Sequence, residues 1–308
     1  MDYYIYRLAL CYSALLSLLG IALTLRHRAS NIPDFSIVTY SGLGVCITAF
    51  TTSILNLNIY TSPFTALNIG CIAGAIHYRF IIMRMEKRGD TPILMTLSTI
   101  GVQILLIGLL NCAAYWYYVT LPELQGLFHL LDRWDFTLWG VQGIYYVIPL
   151  TCIIIWALLM ALFRGSFGAT LTASGENPEL AMIQGVNPWG LKLAIWSLSG
   201  GLACVAGSLF PPFYHLVPGS LSLLIPIMAV GVLGGFDSLS LTVVAAFIVG
   251  LSEVLGIIWL ELILGNFIGE YRSMIPAAIL YFSMLIMPGG LVKLKDYLFD
   301  EQKRLSSS

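Results

Sequence analysis

The stretch GSFGATLTASGENPELAMIQGVNPWG, residues 165–190, is the one long polar interruption between apolar spans in the second half of the chain. Within it, Asn177-Pro178 places a good N-cap residue ahead of a proline at the first helical position, and Glu179 sits in the first turn, near the positive end of the helix dipole. A short helix is therefore predicted over residues 179–184. Gly185 stops it, because glycine accepts the left-handed backbone of a helix C-terminus. At helical spacing Leu180 and Ile183 share one face, with Met182 beside it. No lipid span is long enough to claim these side chains, so they need a protein partner or a packed loop. Asn187-Pro188 repeats the capping signal, so a second helix starts near Trp189 and runs through Lys192 into the next span. On local signals alone the stretch reads as an ordinary interhelical loop holding a turn of helix, and its surroundings decide what it is for.

Those surroundings are apolar. Of 308 residues, 58% are hydrophobic and 10% are charged, with a mean hydropathy of +0.87. That is too little charge to cover a soluble globule of this length. Nine crossings of about 20 residues would take roughly 180 apolar positions, which the composition supplies. The net charge of −1 is the near cancellation of 15 basic and 16 acidic residues, so there is neither a basic field for nucleic acid nor an acidic tail. Cys11, Cys46, Cys71, Cys112, Cys152 and Cys204 lie inside apolar spans without C-x-x-C spacing. They read as small packing residues, not as metal ligands or a disulfide framework. His27, His77, His129 and His215 are scattered, without an adjacent carboxylate at ligand spacing, so no metal site is expected. The start, MDYYIYRLAL, lacks a basic n-region and a cleavage site and reads as a retained span.

Apolar spans are expected near residues 8–25, 31–57, 61–80, 92–119, 139–163, 193–213, 221–232, 241–264 and 274–287. The second carries Pro33, Gly42 and Gly44 and reads as broken or kinked, and the seventh and ninth are short. The fold class is thus all-α, a polytopic membrane protein of eight to nine transmembrane helices, some broken or re-entrant, in a single domain over residues 1–308. Placing the Arg84–Arg88 cluster inside puts Arg26, Arg28, Arg79, Arg84, Lys87, Arg88, Arg164, Lys192, Lys293, Lys295, Lys303 and Arg304 on the cytoplasmic side. It leaves Arg7, Arg133 and Arg272 outside, a split of twelve to three. The positive-inside rule then gives a multi-pass protein of the cell (inner) membrane with an external N-terminus, a cytoplasmic C-terminus and a cytoplasmic 165–190 loop.

The run Gly175-Glu176-Asn177-Pro178-Glu179-Leu180-Ala181-Met182-Ile183-Gln184-Gly185-Val186-Asn187 resembles the cytoplasmic coupling loop of ABC-importer permeases of the branched-chain amino-acid transport family. Other segments agree, in order. Ile32-Pro33-Asp34-Phe35 through Gly44 is similar to that family's I-x-N-F-A-x-G segment, and the small-residue run from Ser199 to Gly207 is similar to its sixth span. Val232-Leu233-Gly234-Gly235-Phe236-Asp237-Ser238-Leu239 resembles V-L-G-G-x-G-S. Gly250-Leu251-Ser252-Glu253 resembles G-x-x-E, and Met287-Pro288-Gly289-Gly290-Leu291 resembles the terminal P-x-G-L. The chain departs from the family at Ala169 and Thr172, where two arginines are usual, at Asp34, where asparagine is usual, and at Asp237.

The resemblance implies a permease subunit of an ATP-driven importer for branched-chain amino acids or a similar small polar solute, working by alternating access. It implies a second permease subunit, two cytoplasmic ATP-binding subunits and an external solute-binding protein as partners, and no cofactor. The chain has no G-x-x-x-x-G-K-[ST] of its own, so it is not expected to be the enzyme that hydrolyses ATP. Glu176, Asn177, Pro178, Glu179, Leu180, Ala181, Met182, Ile183, Gln184 and Gly185 are the expected ATPase-coupling residues. Asp34, Phe35, Gly44, Gly234, Gly235 and Glu253 are the expected border of the translocation path. Of these, Asp34 and Glu253 are chosen because an ionised carboxylate in lipid is expensive; Asp34 also reads as an interfacial N-cap, Glu253 as a packing residue, and the glycines as sites of close helix approach. An ATP-independent secondary transporter or channel is the alternative. A membrane-embedded enzyme comes last, since no nucleophile–base or metal motif is present.

Overall fold

The computed structural model describes residues 2–120, 135–176, 178–210, 221–236, 238–286 and 290–291. Nearly all of them are helical, which is how a chain in hydrocarbon satisfies its own N–H and C=O groups. Among the described residues six helices are long and apolar enough to cross a membrane, and three shorter apolar ones accompany them. In order they are α1 (Asp2–Ser30), the short α2 (Ile37–Ser53), a third span built in pieces, α5 (Pro92–Thr120), α6 (Ile144–Arg164), α9 (Pro188–Leu209), the short α10 (Leu224–Gly234), α11 (Leu239–Leu264) and the short α12 (Met274–Ile286). The third span runs from a 3-10 turn (Ile59–Thr61) through α3 (Ser62–His77) and a π segment (Tyr78–Ile82) into α4 (Met83–Arg88). At 1.5 Å per residue the three short helices reach about 26, 16 and 20 Å against a hydrocarbon core of about 30 Å. The apolar spans expected from the sequence correspond to these six long and three short helices, six of which have the length and composition to cross.

The fifth span starts later than its apolar signal suggested. Thr137–Leu138 (β1) pairs antiparallel with Val141–Gln142 (β2), and the two residues between them, Trp139 and Gly140, both take positive φ, 50° and 72°. That is the I′ hairpin turn, whose twist matches the strands it joins. The helix therefore begins at Ile144 and not at Trp139. Arg133, counted on the outer side, falls outside the described residues.

By contacts the chain divides into two units, Leu25–Leu221 and Met1–Thr24 with Ser222–Ser308. The larger is organised on α9, which packs against α2 and α3. The sequence permits this through glycine. A Cβ at Gly44 of α2 would overlap the Cys204 carbonyl of α9, and one at Gly207 of α9 would overlap the Ser41 carbonyl of α2. Helix backbones meet here without side chains between them, so packing replaces the hydrophobic effect that lipid does not supply. Helices α5 and α6 turn Ile104, Leu105, Leu109, Ile153 and Leu158 outward, the composition of a lipid-facing surface. In the smaller unit α10, α11 and α12 pack together. There Thr24 and Thr242 share a hydroxyl–hydroxyl hydrogen bond of 3.0 Å.

Candidate functional site

The 165–190 stretch holds one helix more than expected. Besides the expected short helix there is α7 (Ser166–Glu176), joined to α6 at Gly165. Its sequence, SFGATLTASGE, carries no strong helical periodicity, and it is fixed by tertiary contact. Leu171 and Ser174 are buried, and Phe167 packs edge-on to Phe163 of α6 at 5.5 Å.

The second is α8 (Pro178–Ile183). Its expected cap, Asn177, lies outside the described residues. Its end is closed as the glycine predicted: Gly185 has φ of 82°, its N–H donates to the Met182 carbonyl at 3.0 Å, and the Val186 N–H donates to the Ala181 carbonyl at 3.0 Å. This pair of bonds is the Schellman arrangement. Ala181 is the anchor at 4% exposure, while Leu180 is 53% and Ile183 81% exposed, with Met182 exposed beside them. An apolar face on a helix of one and a half turns is thus open. The next helix, α9, starts as expected, the Gly190 N–H donating to the Asn187 side-chain oxygen at 3.1 Å with Pro188 in the first turn.

The two candidate carboxylates are both compensated by arginine. Asp34, in the connection between α1 and α2, forms an ion pair with Arg26, and both side chains are fully buried. Asp34 also accepts from the Ser36 N–H at 2.9 Å and the Ser36 hydroxyl at 2.7 Å, an Asx turn that leads into α2, whose N-cap position is taken by Ser36. The Arg26 guanidinium lies over the rings of Tyr40 and Trp196, at 4.4 and 4.7 Å, and its Nε donates to Ser199 at 2.6 Å. Burial would raise the Asp34 carboxyl, but the adjacent guanidinium outweighs it and holds Asp34 below the usual carboxylate range. Arg26, counted from the sequence among the basic residues of the cytoplasmic side, is completely buried. Tyr40, His77, Trp196 and Ser199 complete this cluster, His77 Nδ1 lying 3.1 Å from the Tyr40 hydroxyl. Tyr40 and Ser199 fall within two of the family-like segments and His77 and Trp196 in none; only tertiary structure assembles the four.

Glu253, on α11, accepts from the Tyr12 hydroxyl at 2.8 Å and pairs with Arg272 at 2.7 Å. Arg272 in turn covers the Tyr12 ring at 4.7 Å. Phe35 is half-buried and its N–H donates to Thr99 of α5 at 3.2 Å. Gly235 ends α10 at φ of 82°, and a Cβ at Gly234 would stand 3.0 Å from the Thr242 backbone. With Gly44 in the α2–α9 contact, all three glycines have a backbone reason to be glycine. Asp237 and residues 287–289 of the terminal motif lie outside the described residues.

Residues 6–284 match a family described as "Branched-chain amino acid transport system / permease component". The probable branched-chain amino acid transport permease protein LivH of Methanocaldococcus jannaschii is 30% identical over 285 residues, covering 92% of this chain and 90% of that relative. The high-affinity branched-chain amino acid transport system permease protein LivH of Escherichia coli K12 is 23% identical over 232 residues, 73% of this chain and 72% of its own length. The autoinducer 2 import system permease protein LsrD of an Enterobacter species is 25% identical over 223 residues, 68% of this chain and 64% of its own. No solved structure matches significantly.

Proposed function

The chain belongs to the permease family of branched-chain amino acid transport systems, and on that premise we propose that it carries leucine, isoleucine or valine inward. It is a multi-pass membrane permease component of an ABC importer and works with other components of that system. The observation that carries this reading is the family match across residues 6–284. The finer assembly is our inference: a second permease subunit, two ATP-binding subunits on the cytoplasmic side and an external solute-binding protein. The N-terminus is external and the C-terminus cytoplasmic. Removing the buried Arg26 and Lys192 from the inner charges and the paired Arg272 from the outer ones leaves ten against two, so the bias survives.

The ATPase-coupling residues are Glu176 to Gly185, and the exposed face of Leu180 and Ile183 supports this assignment. Closure of the ATPase pair would load α8 and bias the permease between inward-open and outward-open states, a two-state element driven by differential contacts. The residues assigned to the translocation path are Asp34, Phe35 and Gly44 in the larger unit and Gly234, Gly235 and Glu253 in the smaller, each set holding helices of its own unit.

The test is uptake into proteoliposomes holding the complete transporter with its binding protein. Leucine, isoleucine and valine should each accumulate only with ATP, and each should compete with the others. Uptake without ATP would replace the reading with a secondary transporter. A second solute class follows from the likeness to the autoinducer 2 permease: uptake of autoinducer 2 unaffected by excess leucine would favour it.

A further inference from the structure

The connection from α8 to α9 is four residues long, 184–187, and it is closed by hydrogen bonds at both ends. A load on α8 therefore arrives at the first turns of α9 with little slack. Trp189, Lys192 and Trp196 follow there at i, i+3 and i+7, one face of a helix, and that face meets the third span. Lys192 Nζ lies 2.9 Å from Glu86 Oε1, with the two side chains 9% and 8% exposed. The Tyr78 hydroxyl donates to the other Glu86 oxygen at 3.0 Å. Lys192 and Lys87 both stand over the Trp189 ring, at 5.9 and 5.4 Å. Trp196 packs against Tyr78 at 5.8 Å and His77 at 5.1 Å, the residues where the α-helical ladder of the third span gives way to the π segment. π segments recur at functional sites in helices.

We propose that Glu86, Lys192 and Trp189 form a strut that makes the third span move with the coupling helix. The proposal rests on the coupling reading of α8 and names the residues that pass its motion on. The ion pair is nearly out of water, so it resists screening far better than a surface pair. It joins segments 106 positions apart in sequence, and it sits at the end of α9 that α8 feeds. Lys192 and Glu86 are positioning residues: neither is required to touch solute or nucleotide.

The experiment uses the complete transporter in proteoliposomes, with Cys71→Ser and Cys112→Ser as background and spin labels on Gln184→Cys or Ile76→Cys. Both label positions are exposed, one at the end of α8 and one on α3. Vanadate trapping of the ATPase subunits should alter both spectra. In Lys192→Met and Glu86→Gln the change at Ile76 should be lost while that at Gln184 persists, and Lys192→Arg, which keeps the charge over Trp189, should restore it. Uptake per ATP hydrolysed should fall about fivefold or more in both, the low end of an ordinary coupling energy. The double variant should be no worse than either single one, because one link breaks once. An unchanged response at Ile76 in Lys192→Met overturns the strut and leaves α8 as the coupling helix. A silent Gln184 label in the unmutated transporter overturns the coupling reading itself, and the strut with it. Parallel loss of uptake and hydrolysis at a constant ratio reduces the pair to a structural anchor and also refutes the proposal.

Discussion

Removing one member of the Arg26–Asp34 pair leaves the other charged and fully buried. Stranding a buried charge in this way costs about 3–5 kcal/mol, whereas replacing both partners by neutral groups of similar size is often close to neutral. Asp34→Ala is therefore expected to lower the thermal midpoint of the purified permease sharply, and Arg26→Met with Asp34→Asn to recover most of it. A double variant as unstable as Asp34→Ala would show that the two residues stabilise by separate contacts. The pH dependence follows from the sign of the Asp34 shift. Its folded carboxyl lies below the unfolded one, so the pair stabilises fully above the ordinary carboxylate pKa of about 4, and that contribution is lost as pH falls through the folded value. The thermal midpoint should decline more steeply with acid below about pH 4 in the unmutated protein than in the neutral double variant. The Glu253–Arg272 pair is a smaller lever, because Arg272 keeps 22% of its side chain exposed and water screens what is left.

At the scale of elements, α8 was legible because its signals are local: a capping dipeptide, an acidic first turn and a glycine stop are all read within ten residues. Helix α7 was not, because its small and polar residues favour no period and the contacts of Leu171, Ser174 and Phe167 fix it. For α8, Leu180→Asp and Ile183→Asp should leave the permease folded, since both positions are exposed, while ATP hydrolysis stops responding to loaded binding protein. A normal response in both variants would remove α8 from the coupling role. For the α2–α9 contact, Gly207→Ala should cost about 1–3 kcal/mol, the usual range for forcing atoms into a filled space, because the new methyl meets the Ser41 backbone, which cannot rotate away. Gly108→Ala in α5 meets nothing within 4 Å; there alanine should help by up to about 1 kcal/mol through helix propensity. Denaturation curves of the two variants should move in opposite directions.

For the whole molecule, alternating crossings fix which connections face which side. Reporters or cysteine labels at Asn56 and Trp139 should be accessible from outside, and those at Gly89 and Gly185 from the cytoplasm. Access to Asn56 from the cytoplasm would mean that α2, only about 26 Å long, does not cross. The sequence by itself determined that this chain lives in a membrane, that it is helical, where its short α8 helix starts and stops, and which family it resembles. Each of these is written in composition, in local capping chemistry or in motifs a few residues long. Only the tertiary structure decided the fate of the charges and the purpose of the glycines. Arg26, Lys192 and Arg272 look alike as flanks of apolar runs, yet each is paired with a carboxylate, two of them across wide gaps in sequence or on another helix. The partner of a buried charge is chosen by which helices pack together, and a one-dimensional count of flanking residues carries no record of that choice.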